Sequence, residues 1–115
     1  MARLGDPLAG VVSFHGSLPS DFPAAPGEVK TKMLICNGAD DPVNPPAKVA
    51  GLRKALDSLG IDYKFVDYPG AKHAFTNPAS DSVGKLFSIP VAYNEAADKG
   101  SWAEMQTFFQ QIFPK

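Results

Sequence analysis

Two groups of side chains in this sequence have the right chemistry for proton transfer. Two adjacent carboxylates, Asp40 and Asp41, follow an apolar run and an Asn-Gly pair, and His73 follows a Tyr-Pro-Gly-Ala-Lys segment. A histidine can take a proton from a hydroxyl or a thiol near neutral pH when a carboxylate holds its other ring nitrogen. The residue types therefore suggest the acid and the base of a catalytic site, for which a nucleophile would be the third group.

Each of these groups is expected just beyond the end of a strand. Residues 9–14 and 32–36 are mostly apolar, which is typical of strands buried on both faces of a parallel sheet. Residues 61–66 alternate between apolar and polar, which indicates a strand with one polar face near the edge of a sheet. The carboxyl edge of such a sheet is where ligands and catalytic groups collect.

Two helices are predicted between and after these strands. Asn44 is a good N-cap with Pro45 at the first helical position, and apolar residues recur at helical spacing up to Leu59 before Gly60. A second helix is expected over residues 94–113, with Trp102, Phe108 and Phe109 in the core. Residues 17–30 and the segment between Tyr68 and Pro90 are predicted as loops.

The resulting order is strand, loop, strand, helix, strand, loop, helix, which is the alternation of an α/β fold with about three parallel strands. The 115 residues correspond to a single domain. Eleven basic and twelve acidic residues give a net charge of −1, so nothing favours binding to nucleic acid or to an anionic membrane. The single cysteine excludes an internal disulfide, no signal peptide or span of about 20 apolar residues is present, and a cytoplasmic location is expected.

Spacing alone leaves the roles of these residues open. An Asp-Asp pair before a proline is also a common turn device, and a histidine in a loop is often only a surface residue. A metal site built from His15, Asp40, Asp41 and His73 is conceivable, but no ligand spacing supports it. No metal or other cofactor is therefore expected.

Four stretches together resemble the C-terminal half of the dienelactone hydrolase family, a branch of the α/β-hydrolases. They read LAGVVSFHG, KMLICNGADDPVNPP, GIDYKFVDYPGAKHAFTNP and VAYNEAADKGSWAEMQTFF, in this order along nearly the whole chain. They include a Gly-x-x-Asp turn at residues 38–41 and a Gly-Ala-x-His-Ala-Phe loop at residues 70–75. Because both motifs occur together, the resemblance is far more specific than either motif alone.

The resemblance implies a role for three residues. Asp41 would be the acid of a Cys-His-Asp triad, His73 its base, and Phe75 a residue lining the pocket for a small ester or lactone. Asp40 would instead bond to amides of the turn. The α/β-hydrolase order is nucleophile, acid, histidine, and the last two are present here in that order.

The nucleophile of the family, a cysteine in a Gly-x-Cys-x-Gly turn, would lie upstream of the strand at residues 9–14. Cys36 lacks the first glycine of such a turn and is expected to be a buried structural residue. Ser82 has Ser80 in place of that glycine and follows no strand, and Ser13 and Ser17 lack flanking glycines. The chain by itself is therefore expected to be inactive or nearly so.

The alternative is a non-catalytic α/β module that binds small molecules or associates with itself. Without a neighbour, the strand over residues 9–14 would present an open apolar edge, which is prone to pair with another chain. A homodimer through this edge, near Val11 to Phe14, is the structural expectation.

Overall fold

The computed structural model describes residues 8–19 and 26–113. Its elements in chain order are β1 (Gly10–Phe14), β2 (Lys32–Gly38), α1 (Pro46–Ser58), β3 (Tyr63–Tyr68), α2 (Ser80–Phe87) and α3 (Glu95–Ile112). Part of the loop predicted between β1 and β2, residues 20–25, lies outside the described residues. The alternation of strands and helices confirms the predicted α/β class.

The three strands form one parallel sheet in the order β1-β2-β3. Val12 is in register with Leu34, and Leu34 is in register with Lys64. Residues 33–38 of β2 are buried, whereas β3 is half-buried with exposed positions at Lys64 and Asp67. The continuous apolar run of β2 thus corresponds to the central strand and the alternating run of β3 to an edge strand, as their patterns predict.

Side chains of β2 point alternately to two hydrophobic clusters, one on each face of the sheet. Met33 and Ile35 pack with Leu52 and Leu56 of α1. Leu34 and Cys36 pack on the other face, against Phe108 of α3 and neighbouring residues. The sheet is therefore a middle layer between α1 and α3, and its carboxyl edge is held from both sides.

The predicted loop before Pro90 contains a short helix, α2, so that prediction is wrong. Val83, Leu86 and Phe87 form an apolar side of α2 at helical spacing, but Leu86 and Phe87 are exposed, so this side does not pack into the core. Gly84 lies in the middle of α2, where a Cβ atom would come within 2.5 Å of the carbonyl oxygen of Val91. Packing of α2 against the following chain segment overrides the low helix propensity of glycine.

The two predicted helix starts differ in outcome. The side chain of Asn94, where the second predicted helix begins, accepts a hydrogen bond from Ala97 N at 2.9 Å and caps α3, a role not predicted from the sequence. In α1, however, Pro45 is the N-cap and Pro46 the first helical residue, so the helix begins one residue later than predicted. Asn44 is occupied elsewhere, because its side chain bonds to the chain segment that follows β1.

Trp102 and Phe109 were expected in the core, but α3 presents both to solvent, and 55% of Trp102 is exposed. The buried side of α3 runs through Ala97, Ser101 and Phe108. Trp102 and Phe109 each lie one residue further on, about 100° around the helix. Trp102 instead stacks on Phe14 of β1, with ring centroids 6.4 Å apart.

Within residues 8–19 and 26–113, no helix combines the length and apolar character needed to cross a bilayer.

The core on the α1 side is expected to carry much of the stability. Leu56 is 0% exposed, whereas Leu86 on α2 is 76% exposed. Leu56→Ala should therefore lower the free energy of unfolding by about 2–5 kcal/mol, since it leaves a cavity in the core. Leu86→Ala, the matched control, should change it by less than about 0.5 kcal/mol. Urea denaturation followed by circular dichroism measures both, and equal effects would contradict the assignment of this cluster as the core.

Candidate active site

Asp41 lies in a tight turn directly after β2. Its backbone N–H donates to the carbonyl of Gly38 at 3.1 Å, and its carboxylate atom Oδ1 accepts from the N–H of Val43 at 2.8 Å. A side-chain carboxylate that bonds an amide two residues further on is a common way to close such a turn. The expectation that Asp40 would supply this bond is wrong: Asp40 is exposed, and Asp41 both closes the turn and faces the site.

The turn after β2 packs directly on the loop that carries His73. A Cβ atom on Gly38 would lie 2.5 Å from the carbonyl oxygen of Ala71 and 2.9 Å from that of Lys72. Only glycine permits this approach, because a side chain would push the two loops apart. The N–H of Asp40 also donates to Ala71 O at 3.0 Å, which fixes the separation of the loops.

The loop that follows β3 turns at Gly70, whose φ of +75° is the left-handed conformation that favours glycine. His73 then pairs with Val91 in an isolated parallel bridge. The main chain after it is held by hydrogen bonds from Asn94 N to Phe75 O at 3.0 Å and from Ser80 Oγ to Ala74 O at 2.8 Å. The base loop, residues 69–76, is thus fixed by main-chain contacts at several points.

The structure brings Asp41 and His73 into contact. The distance from His73 Nδ1 to Asp41 Oδ2 is 2.8 Å, the Asp41 side chain is fully buried, and that of His73 is 28% exposed. With Nδ1 donating to the carboxylate, Nε2 carries the lone pair that can accept a proton. No other hydrogen bond occupies the His73 side chain within the described residues. The pair therefore has the geometry of an orienting acid and a general base.

Phe75 is completely buried, with its ring 5.7 Å from that of Tyr68 and 5.1 Å from that of His15. It belongs to the cluster on the α3 side of the sheet. The predicted contact of Phe75 with a substrate stays a prediction, and the observed burial favours a packing role beneath the base loop instead.

Cys36 is buried in the central strand, where burial raises the pKa of its thiol to about 11. It packs close to the hydroxyl of Tyr68, which is itself buried without a partner of hydrogen-bonding geometry in the described part of the chain. A thiol with a raised pKa is a poor nucleophile, because the thiolate is the reactive form. These observations agree with a structural role for Cys36.

The serines considered from the sequence do not reach the base either. Ser82 lies within α2, Ser13 within β1 and Ser17 on the exposed segment after β1. The side chain of His73 bonds to none of them in the described structure. Across residues 8–19 and 26–113, no three His, Cys, Asp or Glu side chains are grouped so that they could hold a metal ion.

One residue near the site was assigned no catalytic function from the sequence. His15 follows β1 directly, its ring lies 5.8 Å from that of His73, and its Nε2 is 2.7 Å from Thr76 Oγ1. Burial lowers the pKa of His15 most, and the neighbouring His73 lowers it further, against smaller opposite effects of its own backbone and of Asp41. Its position at a strand end was the one available signal, since all three strands end at this edge of the sheet.

Comparison with known proteins agrees with this geometry. The profile of the dienelactone hydrolase family matches residues 1–113. The chain belongs to the dienelactone hydrolase family. This confirms the resemblance seen in the Gly-x-x-Asp and Gly-Ala-x-His-Ala-Phe motifs, and the parallel sheet with its helices is the α/β-hydrolase type of fold expected for the family.

Several relatives show how much of the family fold is shared. A dienelactone hydrolase-like promiscuous phosphotriesterase from metagenomic libraries superimposes with a TM-score of 0.86 and 31% identity, over 96% of this chain and 45% of its own. A protein designated m3DLH gives 0.83 and 30%, over 97% and 45%. An uncharacterized protein of Caenorhabditis elegans is 26% identical over 110 residues, 94% of this chain and 67% of its own. The chain thus spans less than half the length of these solved family structures.

The lowered pKa of His15 predicts a pH dependence of stability. The unfolded chain binds a proton at His15 near the ordinary pKa of 6.5, whereas the folded chain binds it only at lower pH. As pH falls below that value, the unfolded state binds more protons, so the free energy of unfolding should decrease until the folded pKa is reached.

Urea denaturation between pH 5 and pH 8 measures this dependence, with His15→Gln as the variant that removes the titrating group. As pH falls from 8 to 5, the free energy of unfolding of the wild type should decrease relative to that of the variant. A difference that stays constant would show that His15 titrates normally in the folded chain.

Proposed function

We propose that Asp41 and His73 are the acid and the base of a Cys-His-Asp triad that hydrolyses small esters or lactones. The observation that carries the proposal is the 2.8 Å contact between Asp41 Oδ2 and His73 Nδ1, made by a buried carboxylate at the carboxyl edge of a parallel sheet. The chain belongs to a hydrolase family, which implies a small-molecule substrate, and both points support this finer assignment. In this proposal, residues 1–115 are the C-terminal part of a single α/β-hydrolase domain in the cytoplasm.

The proposed reaction needs a cysteine outside these 115 residues, as the resemblance to the family implies. His73 Nε2 takes the proton of that thiol, and the thiolate attacks the carbonyl carbon of the ester. The leaving alkoxide receives the proton from His73, which leaves an acyl-enzyme thioester. His73 then takes a proton from a water molecule, which attacks the thioester; the carbon–sulfur bond breaks, the acid is released, and His73 returns the proton to the cysteine sulfur. Asp41 keeps the imidazole in the required tautomer and stabilises its cationic form throughout.

The donors that stabilise the tetrahedral intermediate would also come from outside the chain. In α/β-hydrolases, they are the N–H of the residue after the nucleophile and an N–H from an earlier loop. One of the similar structures is a promiscuous phosphotriesterase, so an activated phosphotriester is a second class of substrate to test. We infer that the chain alone hydrolyses neither class at an appreciable rate.

The decisive test uses a fusion in which the nucleophile-bearing part of a related dienelactone hydrolase precedes residues 1–115. Hydrolysis of p-nitrophenyl acetate by this fusion should fall by a factor of about 10³–10⁴ in His73→Ala or in Asp41→Asn, since each change removes one member of the triad. The initial rate of p-nitrophenol release measures both changes.

Asp40→Asn is the matched control, because Asp40 is the exposed neighbour of Asp41. Its rate should stay within about threefold of the unsubstituted fusion, as expected for a surface charge away from the reacting atoms. Equal losses in Asp40→Asn and Asp41→Asn, or hydrolysis that persists in His73→Ala, would refute the proposed roles.

A second function is favoured by the open side of the sheet. In the described part of the chain, β1 pairs with β2 alone and its other side is unpaired. Trp102, exposed on α3, stacks on Phe14 at the end of this strand and lines a shallow recess beside Thr76 and Asp98. We propose that, as a module on its own, the chain either forms a homodimer through the β1 edge or binds a small molecule in this recess.

The proposed dimer can be tested independently of the proposed hydrolysis. Trp102→Glu places a charge beside the β1 edge and should weaken dimerisation by about tenfold or more, because exposed tryptophans often dominate an interface. Phe87→Glu changes another exposed aromatic residue, on α2, and should leave dimerisation unchanged. Sedimentation equilibrium over a range of concentrations measures both, and a wild-type chain that stays monomeric at high concentration would exclude the dimer.

A further inference from the structure

A hydrogen bond joins His15 to Thr76, and neither residue has a role in the proposed reaction. His15 lies just after β1, and Thr76 lies three residues after the proposed base. The distance from His15 Nε2 to Thr76 Oγ1 is 2.7 Å, and the His15 ring meets the edge of Phe75 at 5.1 Å between centroids. Within residues 8–19 and 26–113, this is the hydrogen bond that ties the base loop to the end of β1.

The backbone of His15 is firmly anchored. Its N–H donates to the carbonyl of Cys36 at 2.9 Å, and its φ of +45° places it in the left-handed region, which a non-glycine residue keeps only where its surroundings hold it. The side chain of Asn44 donates to Gly16 O at 2.7 Å and accepts from Leu18 N at 2.9 Å. His15 is therefore bonded to β2, and the residues that follow it are held by Asn44 at the end of the turn that contains Asp41.

The base loop is held from the opposite direction by main-chain bonds. Ala92 N donates to His73 O at 3.3 Å, and Asn94 N donates to Phe75 O at 3.0 Å. These bonds attach the loop to the segment before α3, but they place no constraint on the rotation of the His73 ring. The His15 ring, 5.8 Å away and nearly perpendicular to it, occupies the space on one side of that ring.

We propose that His15 is a positioning residue for His73. By holding Thr76 and by packing against Phe75, the neutral His15 ring keeps the base loop seated on the end of β1, so that His73 Nδ1 stays on Asp41. The inference rests on the proposed function only in that His73 is the base. The contact with Asp41 that it maintains is measurable without any reaction.

The neutral state of His15 suits this role. In the tautomer that carries its proton on Nδ1, His15 Nε2 accepts the hydroxyl proton of Thr76. A protonated His15 would put a positive charge next to His73 at the moment when that base becomes cationic. Burial lowers the pKa of His15 and so keeps its ring neutral at the pH at which the base would work.

The test is a long-range ¹H–¹⁵N spectrum of the full chain at pH 8, which reports the tautomer of each imidazole. The chain has only two histidines, so His15→Phe assigns both signals. In the wild type, His73 should occupy the Nδ1–H tautomer. In Thr76→Val, exchange of the His73 Nδ1 proton with water should become about tenfold faster, which corresponds to the loss of one hydrogen bond.

Two variants control for effects on the fold. Thr76→Ser keeps the hydroxyl and should restore the exchange rate to within about twofold of the wild type. Thr107→Val makes the same change at an exposed position on α3 and should have no effect. If Thr76→Val weakens the fold itself, His15→Phe provides the second measurement, since it keeps a ring against Phe75 but removes the acceptor for Thr76.

The outcomes separate this inference from the proposed function. Unchanged tautomer and exchange in both Thr76→Val and His15→Phe would overturn the positioning role and leave the triad assignment intact. Hydrolysis by the fusion that persists in His73→Ala, with the wild-type tautomer intact, would overturn the triad and leave only the part of the inference that His15 holds His73 against Asp41. A wild-type His73 that already mixes tautomers would overturn both.

Discussion

The contact between the end of β2 and the base loop is made by main chain against main chain, and the candidate site depends on it. Ala39 N donates to Tyr68 O at 2.9 Å and Asp40 N to Ala71 O at 3.0 Å, with Gly38 leaving no room for a side chain between the loops. Side chains placed by backbone contacts have little freedom to drift. This explains how a carboxylate and an imidazole 32 residues apart meet at 2.8 Å.

The sequence was informative wherever one physical effect dominated a segment. The apolar run of β2 reflects burial on both faces, which requires consecutive apolar residues in any parallel sheet. The apolar spacing of residues 94–113 predicts α3 to within one residue at each end. The meeting of Asp41 with His73 follows from parallel strands that end at one edge, although the choice of Asp41 over Asp40 came from the family motif.

The sequence failed wherever tertiary contacts decided the outcome. Asn44 has the local signature of an N-cap, but its side chain bonds to Gly16 and Leu18, 28 and 26 residues away in the chain. The short helix α2 leaves most of its apolar side exposed, and its central Gly84 packs closely against residue 91. His15 has no motif around it, since its importance arises from a loop that folds onto it 61 residues later.

Because Asp41 is buried, it depends on the hydrogen bond with His73 more than His73 does. His73 keeps part of its surface in solvent, whereas the carboxylate has none and depends on His73 and on the amide of Val43 for its hydrogen bonds. Loss of the histidine would leave the buried carboxylate without one of its hydrogen-bond partners. Replacement of Asp41 by asparagine would instead leave a neutral group that still accepts a hydrogen bond. Whatever the role of the pair, a chain that keeps Asp41 therefore needs His73 for its stability, whereas a chain with asparagine at this position does not.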